Sequence, residues 1–203
     1  VSNRDSNTVS TLLNNGGGTF AAKVDHATGN APSSVAAADF NGDSRPDLAI
    51  ANALNAGYLS IVLNNGDGTF TEGVGYPIYQ QGLPFSIATA DFNGDSYTDI
   101  AATYQYGPPG AVNLLLNAAD GVFVPRAYPV AALSSSVVGA DFNGDSHVDI
   151  ATGNSNNTVS VLLATGDLAV WDMVLTKDYY WIGPGQTRIE PNAAVKVAEG
   201  TQI

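Results

Sequence analysis

Three nine-residue loops in this chain share one set of oxygen-bearing side chains. They begin at Asp39, Asp91 and Asp141, and each carries Asp at positions 1, 5 and 9, Asn at position 3 and Gly at position 4. Four hard oxygen donors on so short a loop repel one another unless a cation lies among them. Calcium accepts about six to eight oxygen ligands in flexible geometry, and backbone carbonyls and water complete its coordination. The three loops therefore predict about three calcium ions.

The predicted ligands lie at the odd positions of each loop, and position 7 contributes its backbone carbonyl. An EF-hand loop has Gly at position 6, a bidentate Glu at position 12 and flanking helices. An EF-hand is excluded, because these loops have Gly at position 4 and are flanked by β-prone runs. The open alternative is a set of Asp-rich turns that bind no metal. The predicted ligands are Asp39, Asn41, Asp43, Arg45 and Asp47 in the first loop; Asp91, Asn93, Asp95, Tyr97 and Asp99 in the second; and Asp141, Asn143, Asp145, His147 and Asp149 in the third.

The loops belong to a longer repeat, since they recur after 52 and then 50 residues. Short β-prone runs flank each loop, separated by Gly, Asn and Asp turns, and they predict four antiparallel strands per repeat. A four-stranded sheet repeated at this interval is typical of a β-propeller blade, so we expect an all-β fold. In the first repeat the predicted strands are Ser34–Ala38, Leu48–Ala51, Leu59–Leu63 and Thr69–Glu72, and the fourth run of the second repeat is Val122–Val124.

The repeat boundaries predict a half-blade at 1–31 and blades at about 32–84, 85–134 and 135–166. Residues 8–20 match the third and fourth strands of a blade, with no metal loop before them. Either the missing strands lie upstream, or the half-blade completes the last sheet. Residues 167–203 are expected to form a C-terminal β extension that packs on the blades, donates a strand or begins another domain. We expect Tyr179–Ile203 to pair with a neighbouring subunit or to continue into a following domain.

The repeated motifs resemble a known family. Asp-Phe-Asn-Gly-Asp, then Asp-Leu-Ala-Ile, then Leu-Ser-Ile-Val-Leu-Asn-Asn-Gly-Asp-Gly-Thr-Phe are similar to FG-GAP repeats, also called VCBS repeats, across residues 1–166. These are blades of integrin-α-like propellers and of many secreted bacterial proteins. The resemblance implies calcium ligation by the loop residues named above. One departure is Ser at position 6 (Ser44, Ser96 and Ser146), where the family often has Gly; we expect it to change loop stiffness more than ligation.

Composition narrows the function classes. The loops hold nine of the 19 acidic residues, so metal-site acidity accounts for most of the net charge of −12. With seven Lys and Arg residues, the chain has no basic patch for nucleic acid, and no apolar run is long enough for membrane insertion. Because calcium loops fill readily at extracellular calcium levels, we expect a secreted or cell-surface protein. The chain begins at Val1 without a signal peptide, which we interpret as processed or excised.

Three classes of function remain. An enzyme is disfavoured: there is no Cys, and the two histidines lie in a metal loop (His147) and in an isolated turn (His26), where we expect a surface residue. A lectin-like domain that binds carbohydrate or protein is the alternative, based on Tyr76, Tyr79, Tyr104 and Tyr106 in the longer loops. The favoured interpretation is a calcium-stabilised adhesion or fibre module. Its expected partners are further copies of itself, glycans or surface proteins.

Overall fold

The computed structural model describes residues 1–54, 57–71, 73–77, 82–105, 110–119, 121–130, 133–164 and 174–180. Within these ranges every regular element is a β-strand, and no helix there could cross a membrane. The strands form three antiparallel sheets of four strands each, a three-stranded sheet before them and a short hairpin. The prediction of an all-β fold is confirmed.

The strands follow chain order within each four-stranded sheet. The N-terminal sheet contains β1 (Ser2–Asn3), β2 (Thr8–Thr11) and β5 (Val24–Ala27), and the hairpin is β3 (Asn14–Gly16) with β4 (Thr19–Phe20). Sheet 1 contains β6 (Pro32–Ala38), β7 (Asp47–Asn52), β8 (Tyr58–Val62) and β9 (Val74–Pro77). Sheet 2 contains β10 (Leu83–Ala90), β11 (Asp99–Gln105), β12 (Ala111–Asn117) and β13 (Phe123–Pro129). Sheet 3 contains β14 (Ser134–Ala140), β15 (Asp149–Asn154), β16 (Thr158–Leu163) and β17 (Val174–Tyr180).

The inner strands of sheets 1 and 2 are buried on both faces. All six residues of β7 are buried, as are all seven of β12. Their sequences are short, nearly continuous apolar runs, as expected for strands with packing on either side. Sheets 1 and 2 therefore each pack against both the sheet before and the sheet after.

Three apolar clusters mark the junctions between successive sheets. Phe40 and Leu59 join Ile100, Leu115 and Phe123 between sheets 1 and 2. The equivalent clusters contain Phe92, Leu114, Ile150 and Leu162 between sheets 2 and 3, and Val9, Leu48, Ile50 and Val62 between the N-terminal sheet and sheet 1. The core is thus divided among the junctions.

The predicted fourth strand of sheet 1 is wrong in position. Phe70 forms only an isolated bridge with Asn64, and the strand itself begins at Val74. In the N-terminal sheet the same offset holds, since Phe20 pairs with Asn14 in the hairpin and the strand equivalent to the fourth strand of a full sheet is Val24–Ala27. In sheet 2 the strand begins at Phe123, within the predicted run. The Gly-Thr-Phe motif therefore marks a hairpin that precedes the fourth strand, whereas the corresponding Phe123 of sheet 2 opens it.

The C-terminal segment also differs from the expectation. The strand Val174–Tyr180 pairs antiparallel with β16, placing Tyr179 opposite Val159 and Tyr180 opposite Thr158. It is the fourth strand of sheet 3, so sheet 3 extends beyond the boundary drawn at residue 166. Tyr179 and Tyr180 pair with β16 of the same chain. Residues 181–203, where the rest of that expectation falls, lie outside the described residues.

Candidate metal-binding loops

Each candidate loop connects the first strand of a four-stranded sheet to the second. The first strands end at Ala38, Ala90 and Ala140, and the second strands begin at the position-9 Asp of each loop. The backbone turns through a left-handed conformation at Gly42 (φ 79°) and again at Ser44 (φ 65°). The other two loops repeat both values closely, with φ of 72° at Ser96 and 71° at Ser146. One backbone path therefore presents all three sets of side chains.

The position-1 carboxylate accepts hydrogen bonds from the backbone of its own loop. Asp39 Oδ1 accepts from the Gly42 amide at 2.7 Å, and its Oδ2 accepts from the Ser44 amide at 2.7 Å. Asp91 and Asp141 repeat this pattern with their own Gly and Ser. Amides donated by Ser146 and Gly144 are the main reason that the pKa of Asp141 lies below its usual value. The loop backbone therefore favours the charged form of Asp141.

Positions 3 and 5 lie beside each other. Asn93 Nδ2 donates to Asp95 Oδ2 at 2.7 Å, and Asn93 Oδ1 accepts from the Asp95 amide at 3.0 Å. Asp95 Oδ1 in turn accepts from the amide of Tyr97 at 2.9 Å. The same contacts recur in the first and third loops. The amide oxygen and the second carboxylate thus lie on one turn of the loop.

The position-9 carboxylate has a structural role that the ligand prediction did not include. Asp47 is 0% exposed; its Oδ2 accepts from the Phe40 amide at 3.0 Å, and its Oδ1 accepts from the Asn64 amide at 2.8 Å. Asp99 and Asp149 do the same in sheets 2 and 3. This carboxylate ties the candidate loop to the chain at the end of the third strand or just after it. Each oxygen keeps a second lone pair, so ligation is still chemically open to it.

Burial has an electrostatic consequence at Asp99. Loss of hydration raises the pKa of Asp99 to about 7, against the opposing effect of the Asn117 and Phe92 amides. The nearby Asp95 and Asp91 carboxylates raise that pKa further. A divalent cation among these carboxylates would act in the opposite direction and favour the charged form.

The donor chemistry of the loops fits calcium. Each loop offers hard carboxylate and amide oxygens within nine residues and has no sulfur donor. Within the described residues, no three His, Cys, Asp or Glu side chains already converge in a metal-holding arrangement. The carboxylates at positions 1 and 5 are instead directed at backbone amides. Cation binding would therefore share or replace those amide contacts.

The loops differ at position 7. Arg45 Nη1 lies 3.8 Å from Asp43 Oδ2 and donates to the carbonyl of Asn65 at 3.3 Å. Tyr97 and His147 bring no permanent cation to the other two loops. The first loop thus carries a positive charge of its own beside a predicted ligand.

The candidate ligand-binding tyrosines divide into two pairs. Tyr76 packs edge-to-face on Phe123 with ring centroids 5.4 Å apart, and its hydroxyl donates to the Gly121 carbonyl at 3.1 Å. Tyr104 is buried in the same apolar cluster. Tyr79 and Tyr106 lie outside the described residues. The two described tyrosines therefore serve packing between sheets.

His26 was expected on the surface of a turn, but it lies in strand β5 and is half-buried. Its ring packs edge-to-face on Phe70 at a centroid distance of 4.9 Å, and Nε2 lies 3.0 Å from Thr11 Oγ1. The register explains this placement: Val9 pairs with His26 as Leu59 pairs with Tyr76. His26 therefore takes the place of Tyr76 in the N-terminal sheet, which only an alignment of the half-blade with the full repeats could have indicated.

The repeated loops and sheets agree with a comparison against protein families. The model of the FG-GAP-like repeat matches residues 1–50, 41–102 and 91–152, and together these matches span residues 1–152. The chain belongs to the FG-GAP-like repeat family. The resemblance seen in the sequence is thereby confirmed. Each FG-GAP-like match ends within the second strand of a sheet, and the last one ends before β16. Comparison with curated proteins found no match.

Proposed function

We propose that this chain is a calcium-stabilised structural module of an extracellular or cell-surface assembly, without a catalytic role. The observation that carries the proposal is the recurrence of one donor set at one point in three successive sheets. A turn that only reverses the chain needs one or two such side chains. In each of the three equivalent loops, the carboxylates at positions 1 and 5 are at least partly open to solvent. This arrangement favours one cation in each loop, bound by both carboxylates.

The loop residues would have separate tasks in such a module. The carboxylates at positions 1 and 5, with the Asn oxygen at position 3, would hold the cation. The buried Asp at position 9 links the loop to an amide at the end of the third strand or just after it. When bound, calcium supplies the positive charge that offsets the repulsion among these carboxylates. Loop occupancy would thereby stiffen the connection among three strands of each sheet.

We further propose that the sheets are propeller-type blades. Their first strands lie side by side, with β6 against β10 and β10 against β14. Ser33 Oγ on β6 donates to the Pro84 carbonyl on β10 at 2.7 Å. In a propeller, the sheets are expected to meet along their first strands around the axis and to pack face to face.

The lectin-like alternative receives less support. Its two described tyrosines, Tyr76 and Tyr104, are committed to the junction between sheets 1 and 2. A sugar-stacking surface needs aromatic faces open to solvent. We therefore favour the structural role.

The proposal is tested by thermal melts and calorimetry. We expect a stoichiometry near three and a stabilisation of about 2.7 kcal/mol for each site at calcium one hundred times its Kd. Asp95→Ala should remove one site, while the matched control Ser96→Ala in the same loop should keep all of them. Equal melting temperatures in chelator and in millimolar calcium would contradict the proposal.

The affinity tests the proposed location. Extracellular calcium modules bind with Kd values of about 10⁻⁴ to 10⁻³ M, whereas cytosolic buffers bind about 10⁴-fold more tightly or more. We expect the three loops to fall in the weaker range. A Kd typical of cytosolic buffers would remove the argument for an extracellular protein.

A further inference from the structure

Each described junction between full sheets is closed by the Phe at position 2 of a metal loop. Phe40 is 1% exposed, and its ring lies 5.7 Å from that of Phe123 in sheet 2. Asn117 Nδ2 donates to the Phe40 carbonyl at 2.8 Å across the same junction. Phe92, 2% exposed, enters the cluster of Ile150 and Leu162 in sheet 3. The loop Phe of one sheet thus packs into the apolar face of the next sheet.

In sheet 3 the equivalent loop Phe is exposed. Phe142 is the equivalent of Phe40 and Phe92, yet it is 48% exposed. Val159 is 37% exposed, whereas Leu59, which has the same register position in sheet 1, is 0% exposed. We call Phe142 and Val159 the outgoing face. This face has the form of the covered faces of sheets 1 and 2 but no cover among the described residues.

The N-terminal sheet and its hairpin present an uncovered receiving surface. Asn14 pairs with Phe20 as Asn117 pairs with Phe123, so Phe20 is the equivalent of the ring that receives Phe40. Phe20 is 59% exposed, whereas Phe123 is 5% exposed. Leu12, in the Leu-Leu-Asn-Asn run that precedes this hairpin, is 43% exposed. We call Leu12, Asn14 and Phe20 the incoming face.

We propose that the outgoing face of one copy of this chain docks on the incoming face of a second copy, with Phe142 packed against Phe20 and Leu12. The occupant follows from the chain itself, because its internal junctions show that an incoming face is covered by the outgoing face of an FG-GAP-like sheet. Both faces are exposed among the described residues, so the two faces of one chain do not cover each other. Asn14 takes the position from which Asn117 donates to Phe40, and it supplies a polar partner for the docked loop.

The two faces are different, so the contact is head-to-tail. Such a heterologous contact produces rings when the rotation closes and filaments when it does not. This inference goes beyond the calcium proposal, because it depends on packing between sheets and not on occupancy of the loops. Its failure would be seen in association measurements, and failure of the calcium proposal would be seen in melts and stoichiometry.

The experiment is analytical ultracentrifugation of the full chain over a range of concentrations in millimolar calcium. We expect concentration-dependent oligomers, and we expect Phe142→Asp and Phe20→Asp each to weaken association by about 30-fold, the size expected for a central aromatic residue. Val122→Asp is the control, since Val122 is 58% exposed but belongs to neither face. Phe142→Ser and Phe20→Ser replace the Asp variants if those do not fold.

A mixture of the two variants provides the decisive measurement. A copy without a working outgoing face and a copy without a working incoming face still share one intact contact. An equimolar mixture of the Phe142 and Phe20 variants should therefore form dimers and nothing larger. A wild-type chain that stays monomeric, variants that associate normally, or a mixture that stays monomeric would each overturn the proposal.

Discussion

The junction between sheets 1 and 2 differs from the one between the N-terminal sheet and sheet 1 in how well it is filled. In the first, Phe40 and Tyr76 both pack edge-to-face on Phe123. In the second, His26 is the one aromatic ring among the described residues that packs on the equivalent Phe70, beside a cavity of about 430 Å³ lined by Val9, Ile50 and Val62 among others. The described residues of the N-terminal sheet include no loop Phe equivalent to Phe40. The comparison teaches that the loop Phe completes a junction that otherwise holds together through strand residues alone.

The largest expected effect separates the two junctions directly. Phe40→Ala should lower the free energy of unfolding by about 3–5 kcal/mol, because a fully buried aromatic side chain leaves a cavity that cannot collapse. Phe70→Ala should cost less than half as much, since Phe70 is only half-buried and already borders a cavity. Urea unfolding in saturating calcium measures both. Equal losses would mean that the junctions are equally packed.

The next effect concerns the charge that lies beside the filled junction. Asn117, which donates its side chain to Phe40, also donates its backbone amide to Asp99. The folded-state pKa of Asp99 is raised to about 7. Its contribution to the free energy of unfolding is therefore fully present at pH values below about 4. That contribution is lost as the pH rises through about 7.

In chelator, the stability of Asp99→Asn relative to the wild type should therefore increase as the pH rises from about 4 to about 7. Urea midpoints of both proteins across this range provide the measurement. Asp141→Asn is the contrasting control, because its pKa is lowered and its contribution is lost in the opposite direction, as the pH falls. A difference between wild type and Asp99→Asn that does not change with pH would contradict the assigned pKa.

A smaller effect comes from exchanging residues between the junctions. Val9 and Leu59 have the same register position, opposite His26 and Tyr76. Val9→Leu should stabilise by about 1 kcal/mol because it extends into the cavity, and Leu59→Val should destabilise by about 1 kcal/mol because it opens a space in a filled cluster. Thermal melts of the two variants give opposite shifts if the cavity exists in solution. A loss of stability in both would show that the first junction is already filled.

The smallest expected effect lies within the loops. Ser96 adopts a φ of 72°, which costs a side chain about 1 kcal/mol relative to Gly. Ser96→Gly should relieve most of this strain and raise the melting temperature without changing the calcium stoichiometry. Ser86→Gly, in the extended strand β10, is the matched control and should destabilise by a few tenths to about 1 kcal/mol. Loss of a calcium site on Ser96→Gly would mean that this side chain is a ligand.

The loops and the order of the strands were predictable because the repeat displays them three times. Register was also accessible, since each second strand begins at the Asp that closes its loop. The position of the fourth strand of sheet 1 was not predictable, because Thr69–Glu72 is as β-prone as the true strand after it. A β extension was predicted after residue 166, but the place of β17 as the fourth strand of sheet 3 was not, because its sequence shares no motif with the other fourth strands. An Asp that binds a cation and an Asp that accepts buried amides have the same letter, so the role of Asp47 required knowledge of its burial.

The carboxylate of Asp47 has a consequence for the order of folding. It accepts from amides only seven and 17 residues away, so this connection closes a short stretch of chain at small entropic cost. The bond from Asn117 to Phe40 spans 77 residues and cannot form until two sheets are in place. Local closure around each buried Asp should therefore come early, with docking of neighbouring sheets as the slow step. Folding rates should then respond to Asp47→Ala, whereas Phe142→Ser should leave them unchanged.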